Sequence, residues 1–247
     1  MIVKGIRAFI VCVNYSDFLS ITLPHNKKHF EDVIVITDNS DKKTFELCQK
    51  ENVGCVTTDS FYDDGALFNK WKALNQALVN FSADRWICLL DADILLPTNI
   101  SFNPIRNALY TPKRRVIKYP KDVRVYEDCD FGIHPLAAVN EEWAGYCQIF
   151  HSSDPQLGPH PWHEQNWCHA GGADSFFWMK WPQSGRLRPP FEVLHFGEDG
   201  QNWGGRITPM LDGEKLDGSD ERRQKITELL SLRRGKPKPN RYDAEKF

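Results

Sequence analysis

The chain has 247 residues, of which 41% are hydrophobic and 26% are charged, the mixture of a folded domain rather than of a disordered segment. Its 31 basic and 33 acidic side chains give a net charge of −2, which argues against a protein that coats nucleic acid or acidic lipid through bulk charge. A chain of this length can bury roughly 70–75% of its unfolded surface, so it needs no disulfide or metal ion to fold.

Four apolar, β-rich runs in the first hundred residues alternate with helical patterns. The predicted strands cover residues 7–13, 33–37, 54–57 and 86–90, and the predicted helices cover residues 43–51 and 66–80. Continuous apolar strands separated by helices predict an α/β fold, in which a mostly parallel sheet is covered on both faces. Ligands of such sheets bind at the carboxyl ends of the strands, so the polar residues that follow each strand are the candidates for a site.

The pattern changes after residue 100, where proline and glycine become frequent and most of the eight tryptophans occur. We expect this half to be a loop-rich layer that completes the same domain. A helix is predicted over residues 219–234, with Ser219 as its N-cap. The whole chain, 1–247, is therefore expected to form a single domain with parts at 1–100, 101–218 and 219–247, the last being a C-terminal helix and a basic tail.

Residues 86–97, W-I-C-L-L-D-A-D-I-L-L-P, form the most informative segment. Asp91 and Asp93 end a buried apolar run, where carboxylates are costly unless they bind something. Two positions apart in an extended segment, they are expected to point to the same side and to suit a hard cation such as Mg2+ or Mn2+. A cation held by one or two carboxylates takes its other ligands from water and substrate phosphates. The alternative is a capping or turn role for both aspartates.

An ordered set of segments resembles the GT-A glycosyltransferases, especially the family 2-like group, over about residues 6–97 and more weakly to about residue 206. The segments are F-I-V-C-V-N-Y, V-I-V-I-T-D-N-S-D-K-K-T, G-A-L-F-N-K-W-K-A-L-N-Q-A-L and L-D-A-D-I-L-L-P, then G-G-A-D-S-F-F-W and V-L-H-F-G. The resemblance implies a GT-A, Rossmann-like fold with a nucleotide-sugar-binding half at 1–100 and an acceptor-binding half at 101–218. It also implies a metal-dependent transferase that moves a sugar from a nucleotide-diphosphate donor, expected to be UDP-linked, to an acceptor hydroxyl.

The resemblance also implies roles for individual residues of the first half. The expected donor-binding residues are Asn14, Tyr15, Asp38, Lys70 and Asp91, with Asp91 at the ribose or at metal-bound water, while Asp93 ligates the metal. The alternative for Asp38 is that D-N-S-D forms a turn and caps the following helix. The alternative for Lys70 is a solvated lysine on a helix face.

In the second half, the resemblance makes Asp174 the general base of an inverting enzyme. The family commonly shows an acidic pair at this point, whereas this chain has Ala173 followed by Asp174. The alternative is that Asp174 caps a helix. His195, in V-L-H-F-G, matches the late histidine that completes the metal site in many GT-A enzymes, and imidazole is a reasonable ligand for Mn2+. Its alternative is a buried histidine bonded to backbone.

Two loops complete the predicted site. The segment G-E-D-G-Q-N-W-G-G-R is expected to be mobile and to close Arg206 over the diphosphate. The segment H-P-W-H-E-Q-N-W-C-H, residues 160–169, is expected to stack an acceptor, with Trp167 and the nearby Trp178 as acceptor-binding residues. Packing is the alternative for Trp178. A zinc site in residues 160–169 is disfavoured because its spacing matches no familiar finger.

Three other functions compete with the transferase. A sugar-phosphate nucleotidyltransferase normally has a Gly-rich, basic loop after its first strand, where this chain has V-N-Y-S-D-F-L. An aspartyl-phosphate phosphatase would use Asp91 as its nucleophile, but three strands precede it and position 95 is Leu rather than Thr or Val. A non-catalytic sugar-binding module would bind the donor without turnover.

The acceptor and the compartment are also matters of expectation. A glycan, a lipid-linked sugar, a protein side chain and a hydroxymethylated DNA base all remain open, DNA because of the basic residues Arg233, Arg234, Lys236, Lys238 and Arg241. The seven cysteines include no C-x-x-C pair, and the apolar run at residues 8–13 is too short for a signal peptide. No run approaches the roughly 20 apolar residues of a membrane span. A cytoplasmic protein without a membrane anchor is therefore expected.

Overall fold

A seven-stranded sheet organises the chain in the computed structural model, which describes residues 5–81, 84–117, 131–134, 136–137, 144–171, 173–197 and 202–233. The strands are β1 (Ile6–Val11), β2 (Asp32–Thr37), β3 (Gly54–Thr57), β4 (Trp86–Asp91), β5 (Ile94–Leu95), β6 (Leu109–Tyr110), β7 (Lys113–Ile117), β8 (Cys147–His151), β9 (Arg186–Leu187) and β10 (Glu192–Phe196). The helices are α1 (Ser16–Asn26), α2 (Lys42–Glu51), α3 (Lys70–Phe81), α4 (Ala173–Trp178) and α5 (Ser219–Arg233).

The strand order of the large sheet is β3-β2-β1-β4-β8-β6-β9. Strands β1 to β4 are mutually parallel, whereas β8 runs antiparallel to β4 and to β6. A smaller sheet with the order β5-β10-β7 stands beside it. The predicted fold class, a mostly parallel α/β sheet flanked by helices, is confirmed, and strands from the second half of the chain continue the sheet that the first half begins.

Alternate residues of the central strands face two different hydrophobic layers. Ala8 and Ile10 of β1 belong to a cluster with Leu19 of α1, whereas Phe9 belongs to a cluster with Trp71 of α3. Side chains of a strand alternate between the two faces, so a central strand that is covered on both faces carries an uninterrupted apolar sequence. The continuous apolar pattern that predicted β1, β2 and β4 therefore has its cause in these two layers.

Helix α3 begins later than the pattern predicted. The sequence predicts a helix over residues 66–80, but the observed helix starts at Lys70. Residue Ala66 is extended, and the backbone N–H groups of Leu67 and Phe68 donate to the Cys168 carbonyl at 2.7 and 3.2 Å. This pairing with a distant segment keeps residues 66–69 out of the helix and sets Lys70 at the helix start.

Helix α1 lies against the segment that follows β4, and its buried polar side chains hold that segment. Thr22 donates to the Ala92 carbonyl at 2.7 Å, and Asn26 donates to the Ile94 carbonyl at 2.7 Å. Asn26 also accepts from the Leu96 backbone N–H at 3.0 Å. The helix thereby fixes the backbone on both sides of Asp93. Polar residues on the buried face blur the helical pattern, which explains why the sequence did not predict α1.

The C-terminal helix agrees with its prediction, and the tail beyond it lies outside the described residues. Ile226 of α5 is 7% exposed and packs over Gly204. Of the basic residues suggested for DNA, the Arg233 side chain and Arg234, Lys236, Lys238 and Arg241 all fall outside the described part of the chain. Within the part that is described, no helix combines the length and the apolar character needed to cross a membrane.

We predict that Asn26→Ala lowers the free energy of unfolding by about 2–3 kcal/mol. The substitution leaves a buried carbonyl and a buried N–H without their partner, and each unsatisfied buried group costs roughly 1–3 kcal/mol. Urea denaturation measures the change. Asn80→Ala is the matched control and should stay within about 0.5 kcal/mol, because Asn80 is on the exposed side of α3, where its side chain donates to the Gln76 carbonyl. Equal losses in both variants would contradict a special role for Asn26.

Candidate active site

A cavity of about 310 Å³ opens at the carboxyl ends of β1 and β4. It is the place where a parallel sheet of this kind binds its ligands. Residues predicted from the sequence contribute much of its wall, namely Tyr15, Lys70, Asp91, Asp93, Asp174, His195 and Arg206. Asn14, Asp38, Trp167 and Trp178 are not part of that wall. The structure therefore brings together the predicted acidic, basic and imidazole groups and separates them from the two predicted tryptophans.

The two aspartates after β4 turn towards different partners. The Asp91 carboxylate lies 3.3 Å from the Lys70 ammonium, and the Asp93 carboxylate lies 3.4 Å from Nε2 of His195. Asp91 is the last residue of β4, and the chain turns at residues 92–93 before β5 begins. The extended geometry expected between the two aspartates is therefore replaced by a turn. His195 reaches Asp93 because it pairs with Ile94 in the small sheet.

The Asp93–His195 pair has unused ligand atoms. Oδ1 of Asp93 and Nδ1 of His195 are buried, and neither has a hydrogen-bond partner among the described residues. Within the same residues, no three His, Cys, Asp or Glu side chains converge as a ready metal site. An open pair of this kind fits a cation that takes its remaining ligands from phosphate oxygens and water, so the donor set agrees with Mn2+ or Mg2+ bound together with a diphosphate.

Lys70 is a buried ammonium group at the start of α3. It is 9% exposed, and its Nζ lies 4.5 Å from the ring centroid of Trp71 as well as beside Asp91. Burial works against the charged form, but the combined fields of Asp91, Asp174 and Asp93 outweigh it and raise the pKa of Lys70. The group is therefore a charged lysine inside the site, and the alternative of a solvated lysine on a helix face does not hold.

Asp174 lies in the first turn of α4 and faces the same cavity. Burial raises the pKa of Asp174 to about 6, against the opposing field of Lys70, and the charge of Asp91 raises it further. Its Oδ1 is buried and has no hydrogen-bond partner among the described residues. Asp174 lies inside the helix rather than before it, so an N-cap role does not account for it.

Gly145 makes the position of the Asp174 carboxylate possible. A Cβ atom at residue 145 would lie 2.0 Å from Oδ1 and 2.5 Å from Cγ of Asp174. The carboxylate thus rests directly on the backbone before β8, at a distance that no side chain permits. The sequence gives no sign of this requirement, because Gly145 and Asp174 are far apart along the chain.

Arg206 has a structural role instead of the phosphate-binding role expected for it. Its guanidinium donates to both carboxylate oxygens of Asp17 at 2.5 and 2.8 Å, and to the carbonyls of Asn14, Thr208 and Pro209 at 2.7, 3.2 and 2.6 Å. An arginine has five N–H donors, and all five are used here. The side chain is fully buried. Arg206 therefore fastens residues 206–209 to the start of α1, and it has no donor left for a diphosphate.

The predicted acceptor tryptophans pack away from the cavity. Trp167 is 4% exposed and lies against Phe176, with ring centroids 5.6 Å apart. The Arg186 guanidinium covers Trp178 at 3.5 Å from the ring centroid. Trp203 lines the cavity in their place. Its signal in the sequence is its position within the glycine-rich N-W-G-G segment, a few residues after V-L-H-F-G.

Arg114 and Tyr146 belong to the cavity wall but were not predicted. The Arg114 guanidinium lies 4.6 Å from the ring centroid of Tyr146. The backbone N–H of Asp91 donates to the Tyr146 carbonyl at 2.9 Å. Both residues come from the second half of the chain, where the sequence shows no clear strand pattern. Tyr146 is brought to Asp91 by the pairing of β8 with β4, and Arg114 reaches the cavity on β7, which pairs with β10.

Asn14 and Asp38 lie near the ends of β1 and β2 but outside the cavity wall. Oδ1 of Asp38 accepts from the backbone N–H of Ser40 at 2.9 Å and from its hydroxyl. Asp41, and not Asp38, caps α2 by accepting from the Thr44 N–H at 3.1 Å. The turn considered as an alternative for Asp38 is thus present, and nucleotide binding by Asn14 and Asp38 stays a prediction.

Comparisons with known proteins give no sequence relative and several similar folds. No family model and no curated protein matches the chain. Glucosyl-3-phosphoglycerate synthase from Mycobacterium tuberculosis, solved with Mn2+ and UDP-glucose, is 12% identical over 96% of this chain and 81% of that chain, with a TM-score of 0.48. The same synthase with Mn2+, UDP and glucosyl-3-phosphoglycerate is 12% identical over 96% and 82%, with a TM-score of 0.47.

A third similar structure is a CTP:phosphocholine cytidylyltransferase from Streptococcus pneumoniae. It is 16% identical over 45% of this chain and 55% of that chain, with a TM-score of 0.34. At these identities and TM-scores, the function of this chain has to be inferred from the residues of its own cavity.

We predict that Gly145→Ala lowers the free energy of unfolding by about 1–3 kcal/mol, because the added methyl group overlaps the Asp174 carboxylate and overpacking costs about that much. Urea denaturation measures the loss. Combining Gly145→Ala with Asp174→Ala should recover most of it, since the second change removes the overlapping group. Gly171→Ala is the control, because a Cβ there meets nothing closer than 3.4 Å. Additive losses in the double variant would contradict the contact.

Proposed function

We propose that this protein is a metal-dependent glycosyltransferase that moves a sugar from a nucleotide-diphosphate donor, UDP-linked, to an acceptor hydroxyl. The observation that carries the proposal is the content of one cavity at the carboxyl ends of parallel strands. A carboxylate with a raised pKa, Asp174, faces an open carboxylate–imidazole pair, Asp93 and His195. The first is suited to accept a proton from an alcohol, and the second is suited to hold a cation that binds phosphates.

The charge balance of the cavity supports a divalent cation. Asp91, Asp93 and Asp174 bring three carboxylates into its wall, and Lys70 and Arg114 together offset two of them. The nearby Arg206 charge is already neutralised by Asp17. A diphosphate would be repelled by the remaining negative charge, whereas a divalent cation reverses that repulsion.

Asp93 and His195 are the residues that would hold Mn2+ or Mg2+, and a cation there would neutralise the departing diphosphate. An imidazole ligand favours Mn2+, since Mg2+ prefers oxygen atoms and octahedral geometry with several waters. Asp91 is paired with Lys70 beside this site, and we assign it to the ribose or to a metal-bound water.

Lys70 supplies positive charge to the same cavity, beside Asp91. Its ammonium group is desolvated and kept charged by the carboxylates around it, so its field is stronger than that of a solvated lysine. We assign it to the diphosphate or to the hydroxyls of the donor sugar.

Asp174 is the proposed general base. It removes the proton from the acceptor hydroxyl as that oxygen attacks the anomeric carbon, while the bond from that carbon to the diphosphate oxygen breaks and the electron pair leaves with the diphosphate. A pKa of about 6 makes Asp174 a stronger base than an ordinary aspartate and still leaves it ionised at neutral pH. Direct attack by the activated acceptor predicts inversion of the anomeric configuration.

Removing either member of the cation-binding pair should abolish the effect of metal on nucleotide binding. We expect MnCl2 to tighten UDP binding to the wild-type protein at least tenfold relative to EDTA. In Asp93→Asn and His195→Ala, this enhancement should fall to less than twofold, as isothermal titration calorimetry can measure. Asp84→Asn is the control, because Asp84 lies outside the cavity and bonds to Ser153. UDP binding that is indifferent to chelation would refute the assignment.

Asp174→Asn should keep the donor affinity and lose the chemistry. We expect UDP binding within about twofold of wild type and a loss of at least a hundredfold in Mn2+-dependent UDP release from UDP-sugars, consistent with the contribution of a general base. In the wild type, kcat/KM should fall tenfold per pH unit below about pH 6, because the base becomes protonated there. An active Asp174→Asn enzyme would remove Asp174 from the mechanism.

We also predict that Asp174→Asn raises the free energy of unfolding above about pH 6. Since the folded pKa of Asp174 is raised from 3.8 to about 6, the native state holds its proton more tightly than the unfolded state between those pH values. Stability of the wild type therefore falls as pH rises through this window. Asp174→Asn lacks this loss, so its advantage should grow between pH 4 and about pH 6 and then level off, at no more than about 3 kcal/mol.

A further inference from the structure

A second cavity, of about 410 Å³, lies between residues 161–166 and α4. Its walls include Trp162, His163, Glu164, Gln165, Phe176 and Lys180. None of these residues has a part in the proposed transfer chemistry. Helix α4 contributes to both cavities, because Asp174 in its first turn lines the first cavity and Phe176, two residues further on, lines the second.

The second cavity contains a buried imidazole, that of His163, whose ring nitrogens have no hydrogen bond to the described residues. His163 is 2% exposed. The ring is held between Trp71 and Phe177, with centroid distances of 4.6 and 4.0 Å. Asn75 fixes its backbone, donating to the His163 carbonyl at 2.9 Å and accepting from the His163 N–H at 3.1 Å. A polar group held this rigidly in a wall and left without a partner indicates a place for a ligand.

The His163 ring is neutral, because burial and the nearby charges of Lys70 and Lys180 lower its pKa well below the usual value, with His160 adding to the effect. A neutral imidazole offers one donor and one acceptor, and a hydroxyl group can pair with either of them.

The remaining wall groups also suit hydroxyls and hydrocarbon faces. Glu164 and Lys180 oppose one another in charge, so the cavity has no net attraction for an anion, and Gln165 adds an amide. Phe176 is partly exposed and presents an aromatic ring. An aromatic face beside a balanced set of polar groups matches a neutral sugar ring, which has an apolar face and a rim of hydroxyls.

A continuous row of ring contacts connects the second cavity with the first. Phe176 of the second cavity contacts Trp167 at 5.6 Å between centroids, Trp167 contacts His169 at 6.2 Å, and His169 contacts Trp203 of the first cavity at 4.4 Å. Aromatic residues of the two cavities are therefore linked through packed rings. Asp174 and Phe177 are one helical turn apart, about 4.5 Å along the axis.

We propose that the second cavity binds a sugar ring of the acceptor, so that the acceptor is a neutral oligosaccharide whose reactive end lies at Asp174. This inference rests on the proposed function for the identity of the transferred group. It selects a glycan over DNA, because a phosphate backbone would find no net positive charge in these walls.

Saturation-transfer NMR with glucose, maltotriose, cellotriose and chitotriose tests the subsite directly. We expect at least one trisaccharide to bind at least tenfold more tightly than glucose. Gln165→Ala combined with Lys180→Met should lower that trisaccharide's affinity to within threefold of the glucose value, and Asn166→Trp, which fills the cavity mouth from an exposed position, should do the same. Asn80→Ala is the control and should bind as wild type does. The fold of each variant is checked by circular dichroism and urea denaturation.

The two proposals fail in different ways. Absence of Mn2+-dependent UDP binding would refute the transferase without affecting the saccharide titrations. If none of the trisaccharides binds more tightly than glucose, or if both cavity variants retain the wild-type preference, the subsite is refuted even though UDP binds. Stimulation of UDP release by a hydroxymethylated DNA duplex, with no response to any saccharide, would likewise overturn it.

Discussion

The attraction between one buried ammonium group and the carboxylates around it is the interaction on which the site depends. Lys70 begins α3, Asp91 ends β4 and Asp174 lies in the first turn of α4, so a helix start, a strand end and a second helix converge on one charge. Burial raises the pKa of Asp91 and of Asp174, and Lys70 opposes the rise in both. Lys70 therefore favours the ionised form of both carboxylates although they are poorly solvated. The cavity keeps a net negative charge as a result.

The backbone around these charges is held in place by hydrogen bonds and strand pairing. The segment after β4 is held from one side by polar side chains of α1 and from the other by the pairing of β5 with β10. The buried Arg206–Asp17 pair fixes residues 206–209 against the start of α1. A buried ion pair adds little net stability, but it holds its two side chains in a single geometry. Charges that are fixed in advance in this way are a main source of electrostatic catalysis.

The parts of this arrangement that are local in sequence were predictable. Strands β1, β2 and β4 were predicted correctly because both faces of each strand are buried, which gives a continuous apolar run. The Asp91–Asp93 pair was identified because it interrupts such a run. The rest depends on distant pairings. Arg206 follows a glycine-rich segment typical of a phosphate-binding loop, but its guanidinium pairs with the carboxylate of Asp17, which is far away in the sequence. Trp167 was expected to bind an acceptor but is buried in the core, and Trp178 packs against that core under Arg186. Gly145 has no signal in the sequence.

Consecutive residues before β8 contact two groups of the proposed active site. Gly145 lies against the Asp174 carboxylate, and the carbonyl of the next residue, Tyr146, accepts a hydrogen bond from the Asp91 N–H. The spacing between the proposed general base and the end of β4 is therefore set by a single peptide unit. Loops around the acceptor can change in length and composition during evolution without altering this spacing, so specificity is free to diverge while the chemistry is preserved.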